Sequence, residues 1–473
     1  MHLRRPGGPR VRGAGVRGHA QRRRASTLPL PVTPTGKPAS ATLAPGVERR
    51  EVVAWTLYDF ANSGYTTVVV TAVFSAYFVS VVAEGADWAT LAWTAALSVS
   101  YAAAIVLGPL LGAHVDRRAS KKTWLGWTTA GCVLGTAGLA LVGPGDMLAA
   151  VLLVALSCLC FSLGENLIAA FLPELARPEA IGRLSGWGWA VGYLGGLIAL
   201  ALCLAWISSP GATDDSAQSK VAVCMLITAA LFALASLPVF LFLRERAQPA
   251  PGGPPLAVGF LVGAAWHQLR ASRVTLARLP ELRRILVCIT FAQAGVQTVV
   301  ALAAIYAEQA LGFETAQTVQ MILLVNITAA IGAAAFGHVQ DRLGHVRTLA
   351  LTLLGWLVAI ALAWASRGPE LFWVAANVVG LCLGASQSAG RALVGLLAPV
   401  DQRAECFGLW GLAVKVASIL GPLCYGLVSW AGGGDHRLAI LVTGLFFVAA
   451  LILLRGVDTG RGRARALEAG GAG

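Results

Sequence analysis

Four charged residues stand inside stretches that are otherwise apolar. They are Asp59 in WTLYDFANSGY (55–65), Glu165 followed by Asn166, Arg391, and Lys415 in ECFGLWGLAVKVASILGPL (405–423). A charge held in hydrocarbon costs about 3 kcal/mol on insertion scales, so such residues mark ligand, ion or proton sites by default. A carboxylate in these surroundings can take up a proton, and a cation can hold a solute carboxylate. Asp59 and Asn62 are three residues apart and share one face of a helix. Lys415 lies roughly 14 Å into its stretch at 1.5 Å per residue, too deep to reach water easily. Amides add to the set: Gln293 and Gln297 on one helical face, then Asn377 and Gln387, with Glu308 at a stretch edge. Taken singly, each has a structural reading as an ion pair or an interhelical hydrogen bond. Taken together, they describe a site for a small solute carrying both signs of charge.

The elements that must position these residues are membrane spans. Of 473 residues, 57% are hydrophobic and 12% charged, and the mean hydropathy is +0.71. A spanning helix needs about 20 apolar residues. Twelve stretches qualify: 55–82, 88–113, 123–142, 148–172, 184–207, 221–243, 285–307, 319–340, 346–366, 371–397, 406–430 and 438–454. Their apolar runs are continuous rather than alternating, which selects helices over a barrel. The connections alternate between basic and non-basic. Of 36 Lys and Arg, only Lys220, Arg367 and Arg437 fall on one side, and Lys415 lies within a span. The basic side is cytoplasmic, so both termini are expected there.

The net charge of +13 follows from these basic loops facing anionic lipid, and nucleic acid is not an expected partner. The nine cysteines fall within or at the edge of spans with no metal or disulfide spacing, and no metal or cofactor is expected. There is no H-E-x-x-H, no G-x-S-x-G and no His cluster, which argues against an intramembrane enzyme. A transporter-like sensor or scaffold without flux is the other alternative. Residues 1–50 and 457–473 read as disordered cytoplasmic tails. Residues 244–284 read as a linker carrying an amphipathic helix, between an N-terminal half (51–243) and a C-terminal half (285–456).

The two halves share a loop. GAHVDRRASKK (112–122) follows span two and GHVQDRLGHVR (337–347) follows span eight. Gly112, Asp116 and Arg117 match Gly337, Asp341 and Arg342 at a constant offset, with the glycines expected to let helices approach closely. The repeat resembles the loop signature of the major facilitator superfamily, an all-α polytopic membrane fold of twelve transmembrane helices in two pseudo-symmetric six-helix halves. The resemblance implies that Asp116, Arg117, Asp341 and Arg342 latch the halves in one access state. It also implies that spans one, four, seven and ten line a cavity.

The WTLYDFANSGY stretch, FLPELARPEAIGRLSGWGWAVGYLGG (171–196) and 405–423 together resemble the vacuole-effluxer family of autophagy-related amino-acid exporters and their bacterial relatives. Glycines 188, 192 and 195–196 resemble the antiporter signature of span five without its proline. The resemblance implies a monomeric secondary transporter exporting amino acids or similar zwitterions by alternating access. It would work with protons in a bacterial inner membrane. Arg391 and Lys415 would hold the solute carboxylate, and Glu165 or Asp59 the proton. Glu165 and Arg391 sit at similar depth on spans four and ten and are expected to face each other.

Overall fold

The computed structural model describes residues 43–177, 181–209, 217–246, 276–399 and 403–470. In it the apolar stretches form twelve helices long and apolar enough to cross a membrane. The first six are α1 (Arg49–Val82), α2 (Ala89–Arg118), α3 (Lys121–Leu141), α4 (Met147–Ala169), α5 (Ile181–Ile207) and α6 (Ala217–Phe242). The second six are α7 (Pro280–Leu311), α8 (Thr315–Leu343), α9 (His345–Ala365), α10 (Pro369–Leu397), α11 (Arg403–Ala431) and α12 (His436–Leu454). With an even number of spans, α1 begins and α12 ends on the same face, the terminal side.

The packing repeats from one half to the other. Helix α1 lies on α5 and α6, and α7 lies on α11 and α12; α4 lies on α2 and α3, and α10 on α8 and α9. The halves then meet through a symmetric pair of contacts, α2 with α11 and α5 with α8. Helices α1 and α7 are the enclosed ones: 78% and 72% of their apolar windows are buried, against 33–47% in the other ten. This is the twelve-helix, two-half architecture expected from the sequence.

A buried carboxylate clasps the first and last helix of each half at the terminal side. Glu51, 1% exposed near the start of α1, takes both guanidinium nitrogens of Arg246 at 2.7 and 2.9 Å, and the Arg244 N–H at 3.2 Å. Hydrogen bonding to Glu51 holds Arg246 still further above its ordinary pKa, so that charge is permanent. The Arg246 N–H binds Glu174 at 2.9 Å, and Glu174 pairs with Lys121 at 2.6 Å, which ties in α3 and the α4–α5 connection. In the second half Glu281, at the start of α7, accepts the Asp458 N–H at 3.3 Å and pairs with Arg461 at 3.2 Å. Removing one partner of a fully buried pair costs about 3–5 kcal/mol. Arg246 is 27% exposed, so Glu51→Gln is expected to cost on the order of 2 kcal/mol, read as a detergent melting temperature several degrees lower. An unchanged melting temperature would mean that the clasp holds nothing.

Parts of both expected tails carry structure, while residues 1–42 and 471–473 lie outside the described residues. Residues 43–50 are ordered: Leu43 bridges Ala176, the Ala44 N–H binds the Leu175 carbonyl, and α1 starts at Arg49. Thr459–Gly470 is a helix, capped by Asp458, whose carboxylate accepts the Gly460 and Arg461 N–H groups. Those bonds hold the Asp458 carboxyl below the usual range. Composition suggested disorder because the segment has few apolar residues, but docking on Glu281 supplies the missing tertiary partner. The linker helix expected within 244–284 lies largely outside the described residues, and α7 already begins at Pro280.

Candidate functional site

Midway along α1 the helix widens. Thr66–Ala72 is π-helical, with the Val73 N–H reaching back five residues to Val68 at 2.9 Å. Segments of this kind concentrate at functional sites. Here the widened turn places Thr66, Thr67 and Thr71, with Ser63, along a cavity of about 260 Å³ between the halves. Thr66 and Thr67 donate to the Asn62 and Ser63 carbonyls at 2.6 and 2.7 Å, leaving their oxygens free to accept. Helix α5 adds Trp189 and Tyr193; the second half adds Gln297, Asn326 and Gln387. None of the described lining residues carries a charge.

The charges lie apart from this lining. Glu165 of α4 and Lys415 of α11 form an ion pair at 2.8 Å that joins the two halves. Their side chains are 43% and 22% exposed, and Lys415 also sits 5.6 Å above the Tyr101 ring of α2. The sequence-level expectation set Glu165 opposite Arg391. Its described partner is Lys415, and the Arg391 side chain lies outside the described residues.

The other expected residues divide. Gln293 and Gln387 hydrogen-bond across α7 and α10 at 2.8 Å, while Gln297, one turn on, lines the cavity. Asp59 is one turn from Ser63 but packs on Gly188 and Gly192 of α5 rather than lining the cavity. Asn62 is buried, and neither of its amide atoms finds a hydrogen bond among the described residues. Asn166 is exposed and rests against Gly108 of α2. Asn377 turns back to its own helix, donating to the Trp373 carbonyl at 2.8 Å. Glycines 192, 195 and 196 let α5 come against the α1 backbone and side chains, which accounts for them by packing. Missed at the sequence level were Ser63, Thr66, Thr67 and Thr71, which recur at i, i+3, i+4 and i+8, and the Trp189–Tyr193 pair.

The seam between α2 and α11 is closed at one end only. Away from the termini, Gly426 of α11 lies against Leu91 and Thr94 of α2. Toward the terminal side, a Cβ added at Gly112 of α2, or at Gly408 or Gly411 of α11, would meet nothing within 4 Å among the described residues. Likewise α1 packs on α7 through its widened and later segments, from Thr66 to Val82. Among the described residues the halves therefore meet on the far side and leave these glycines clear toward the termini, which makes the terminal side the more open one. Gly112 was expected to bring helices together; in this state a Cβ there meets no described neighbour. The side chains of Asp116, Arg117, Asp341 and Arg342, and Gly337, lie outside the described residues, although their backbone forms the terminal-side ends of α2 and α8.

A bundle of twelve helices in two halves with a cavity between them is the architecture of the major facilitator type, and the family and relatives of this chain are transporters, not enzymes. The chain belongs to the family described as vacuole effluxer Atg22 like, whose model matches residues 87–467. It is 25% identical to the MFS-type transporter YxiO of Bacillus subtilis (strain 168) over 410 residues, 85% of this chain and 93% of that protein. It is also 25% identical to autophagy-related protein 22-1 of Aspergillus fumigatus over 311 residues. That match covers 60% of this chain and 49% of the fungal protein, so the chain spans about half the length of that relative. Among solved structures, a point mutant of the nucleoside transporter NupG superposes with a TM-score of 0.65 at 16% identity, covering 86% of this chain and 99% of that one. A D-xylose–proton symporter does so at 0.63 and 16%, covering 88% and 99%. At that identity these two structures speak to the fold alone.

Proposed function

We propose that this transporter exports amino acids or similar small zwitterions by alternating access, as a monomer in a bacterial cell membrane with both termini cytoplasmic. The observation that carries the reading is the Glu165–Lys415 pair, which bridges the halves on the open side of the cavity. Opening or closing that side must rearrange it, and separating two partly exposed charges costs about 1 kcal/mol unless each finds a new partner. A zwitterion and a proton supply both: the solute carboxylate takes Lys415, and the proton neutralises Glu165. Binding the solute then relaxes the bridge between the halves, and the solute passes on to the hydroxyl and amide lining of the cavity. Asp59, packed against Gly188 of α5, is the second candidate for that proton. Closure of the terminal side would bring the ends of α2 and α8 into play, with Asp116, Arg117, Asp341 and Arg342 as latch residues.

The uncharged lining favours a second reading, a neutral polar solute held by Ser63, Thr66, Gln297 and Gln387. One measurement separates the two. Proteoliposomes loaded with an amino-acid mixture, or with neutral sugars and nucleosides, are assayed for counterflow across a proton gradient of either sign. Amino-acid counterflow is the expected outcome. Counterflow of neutral solutes alone would replace the first reading with the second, and no counterflow of any solute would point to a sensor or scaffold.

A further inference from the structure

We propose that the terminal-side ends of α1, α3 and α6 form a headgroup site for an anionic phospholipid of the adjoining leaflet. Arg50, Lys122, Arg244 and Glu245 line an open niche of about 540 Å³ there, floored by Leu241, Phe242 and Leu243. The two acids nearby, Glu245 and Glu48, do not cancel the three cations. Glu245 is spent on the first turn of α3, accepting the Lys121 N–H at 2.7 Å and the Lys122 N–H at 3.3 Å. Lys122 gives one of its three donors to the Leu243 carbonyl at 2.8 Å, which fixes the ammonium at the niche with two donors to spare. Among the described residues the Arg50 and Arg244 side chains pair with no acid but Glu48, at 2.7 and 3.6 Å, and are 54% and 64% exposed. Pairs that exposed are weak and exchange readily for a phosphate, which an arginine grips through two N–H groups.

The niche also sits where a lipid would present its phosphate. The Arg50 guanidinium lies 5.9 Å over the Phe242 ring, holding the charge at the edge of the apolar surface. From there Leu241, Leu237 and Leu234 run along α6, 64%, 49% and 68% exposed. On a spanning helix that stripe faces acyl chains, so headgroup contacts and chain contacts line up for one molecule. A phosphodiester without an ammonium group fits best, because a headgroup cation would be pushed against Arg50 and Arg244. Phosphatidylglycerol has that chemistry.

The test is native mass spectrometry of the full chain in equimolar phosphatidylglycerol and phosphatidylcholine. Each basic residue near an anionic headgroup favours it about fivefold, so a preference of at least about tenfold for phosphatidylglycerol is expected. Arg50→Gln/Lys122→Gln/Arg244→Gln should erase it, and Arg50→Gln or Arg244→Gln alone should each weaken it. These single variants change exposed side chains and keep the fold. Arg455→Gln/Arg463→Gln/Arg465→Gln removes the same charge from exposed sites on the same side, and should leave the preference intact. An equal loss in this control would overturn the site in favour of diffuse surface charge. Equal competition by glycerol phosphate or inorganic phosphate would overturn the lipid assignment, and no preference in the parent would end the proposal.

Discussion

Glu165→Gln should lower proton-driven net flux on the order of 100-fold while leaving solute exchange within a few-fold of the parent. The uncharged glutamine imitates a permanently protonated carboxyl, so the half-cycles that keep the proton bound continue and those that release it stop. Lys415→Gln should instead lose both modes, because the solute carboxylate has lost its counter-charge. The stability effects are expected to be small by comparison. The pair is 43% and 22% exposed, and solvent screening reduces each single loss to about 1 kcal/mol. That contrast makes the experiment decisive. If the pair were only a strut between halves, Glu165→Gln/Lys415→Gln would restore stability and transport together. If it works by exchanging partners with a zwitterion, the double variant folds and stays inactive. Asp59→Asn reports the remaining carboxylate: full activity in Glu165→Gln from about pH 5.5 to about pH 8 would leave Asp59 as the proton site.

The fold was legible because lipid leaves few choices: continuous apolar runs of span length can only be helices, and basic loops fix which ends share a side. The site was legible only in part, for a physical reason. Charges inside spans stand out in a sequence, and Asp59, Glu165 and Lys415 were found that way. Their partners are set by helix rotation and crossing, which span depth does not specify, so the Glu165–Lys415 pair was not foreseen, while the Arg391 side chain lies outside the described residues. Ser63, Thr66, Thr67 and Thr71 were passed over because single hydroxyls are cheap in a span and bond their own helix, as Thr66 and Thr67 do. What gives them a role is the π-helical turn at Thr66–Ala72, and nothing in TTVVVTA announces it. The Glu51 and Glu281 clasps escaped notice because each acid lies near the start of its helix, where a carboxylate reads as an ordinary favourable end charge.

Leucine placed at Gly112, Gly408 or Gly411 should fold normally and yet lower transport on the order of 100-fold or more. Gly408, Gly411 and Lys415 lie at i, i+3 and i+7 on α11, so they share the face that meets the first half, and Gly426 lies three turns further along it. On α2, Thr94, Tyr101 and Gly112 follow one face in the opposite direction. Gly426 is packed on Thr94 and Lys415 lies over Tyr101, so the next contact along this antiparallel seam joins Gly112 to Gly408 and Gly411. A Cβ at each of those three glycines meets no described neighbour within 4 Å, so a leucine there is expected to be accommodated in this state, and replacing glycine within a helix gains up to about 1 kcal/mol. When the terminal side closes, the same side chain stands where two backbones must meet, and overpacking of that kind costs about 1–3 kcal/mol or more. The variants should therefore keep or raise the melting temperature while the protein remains open toward the termini. Gly112→Cys/Gly408→Cys supplies the complementary reading: a disulfide should form slowly in the free protein and quickly under turnover. Normal transport by Gly411→Leu, with no crosslink in the cysteine pair under any condition, would show that the seam does not close and that access alternates along some other line of contact.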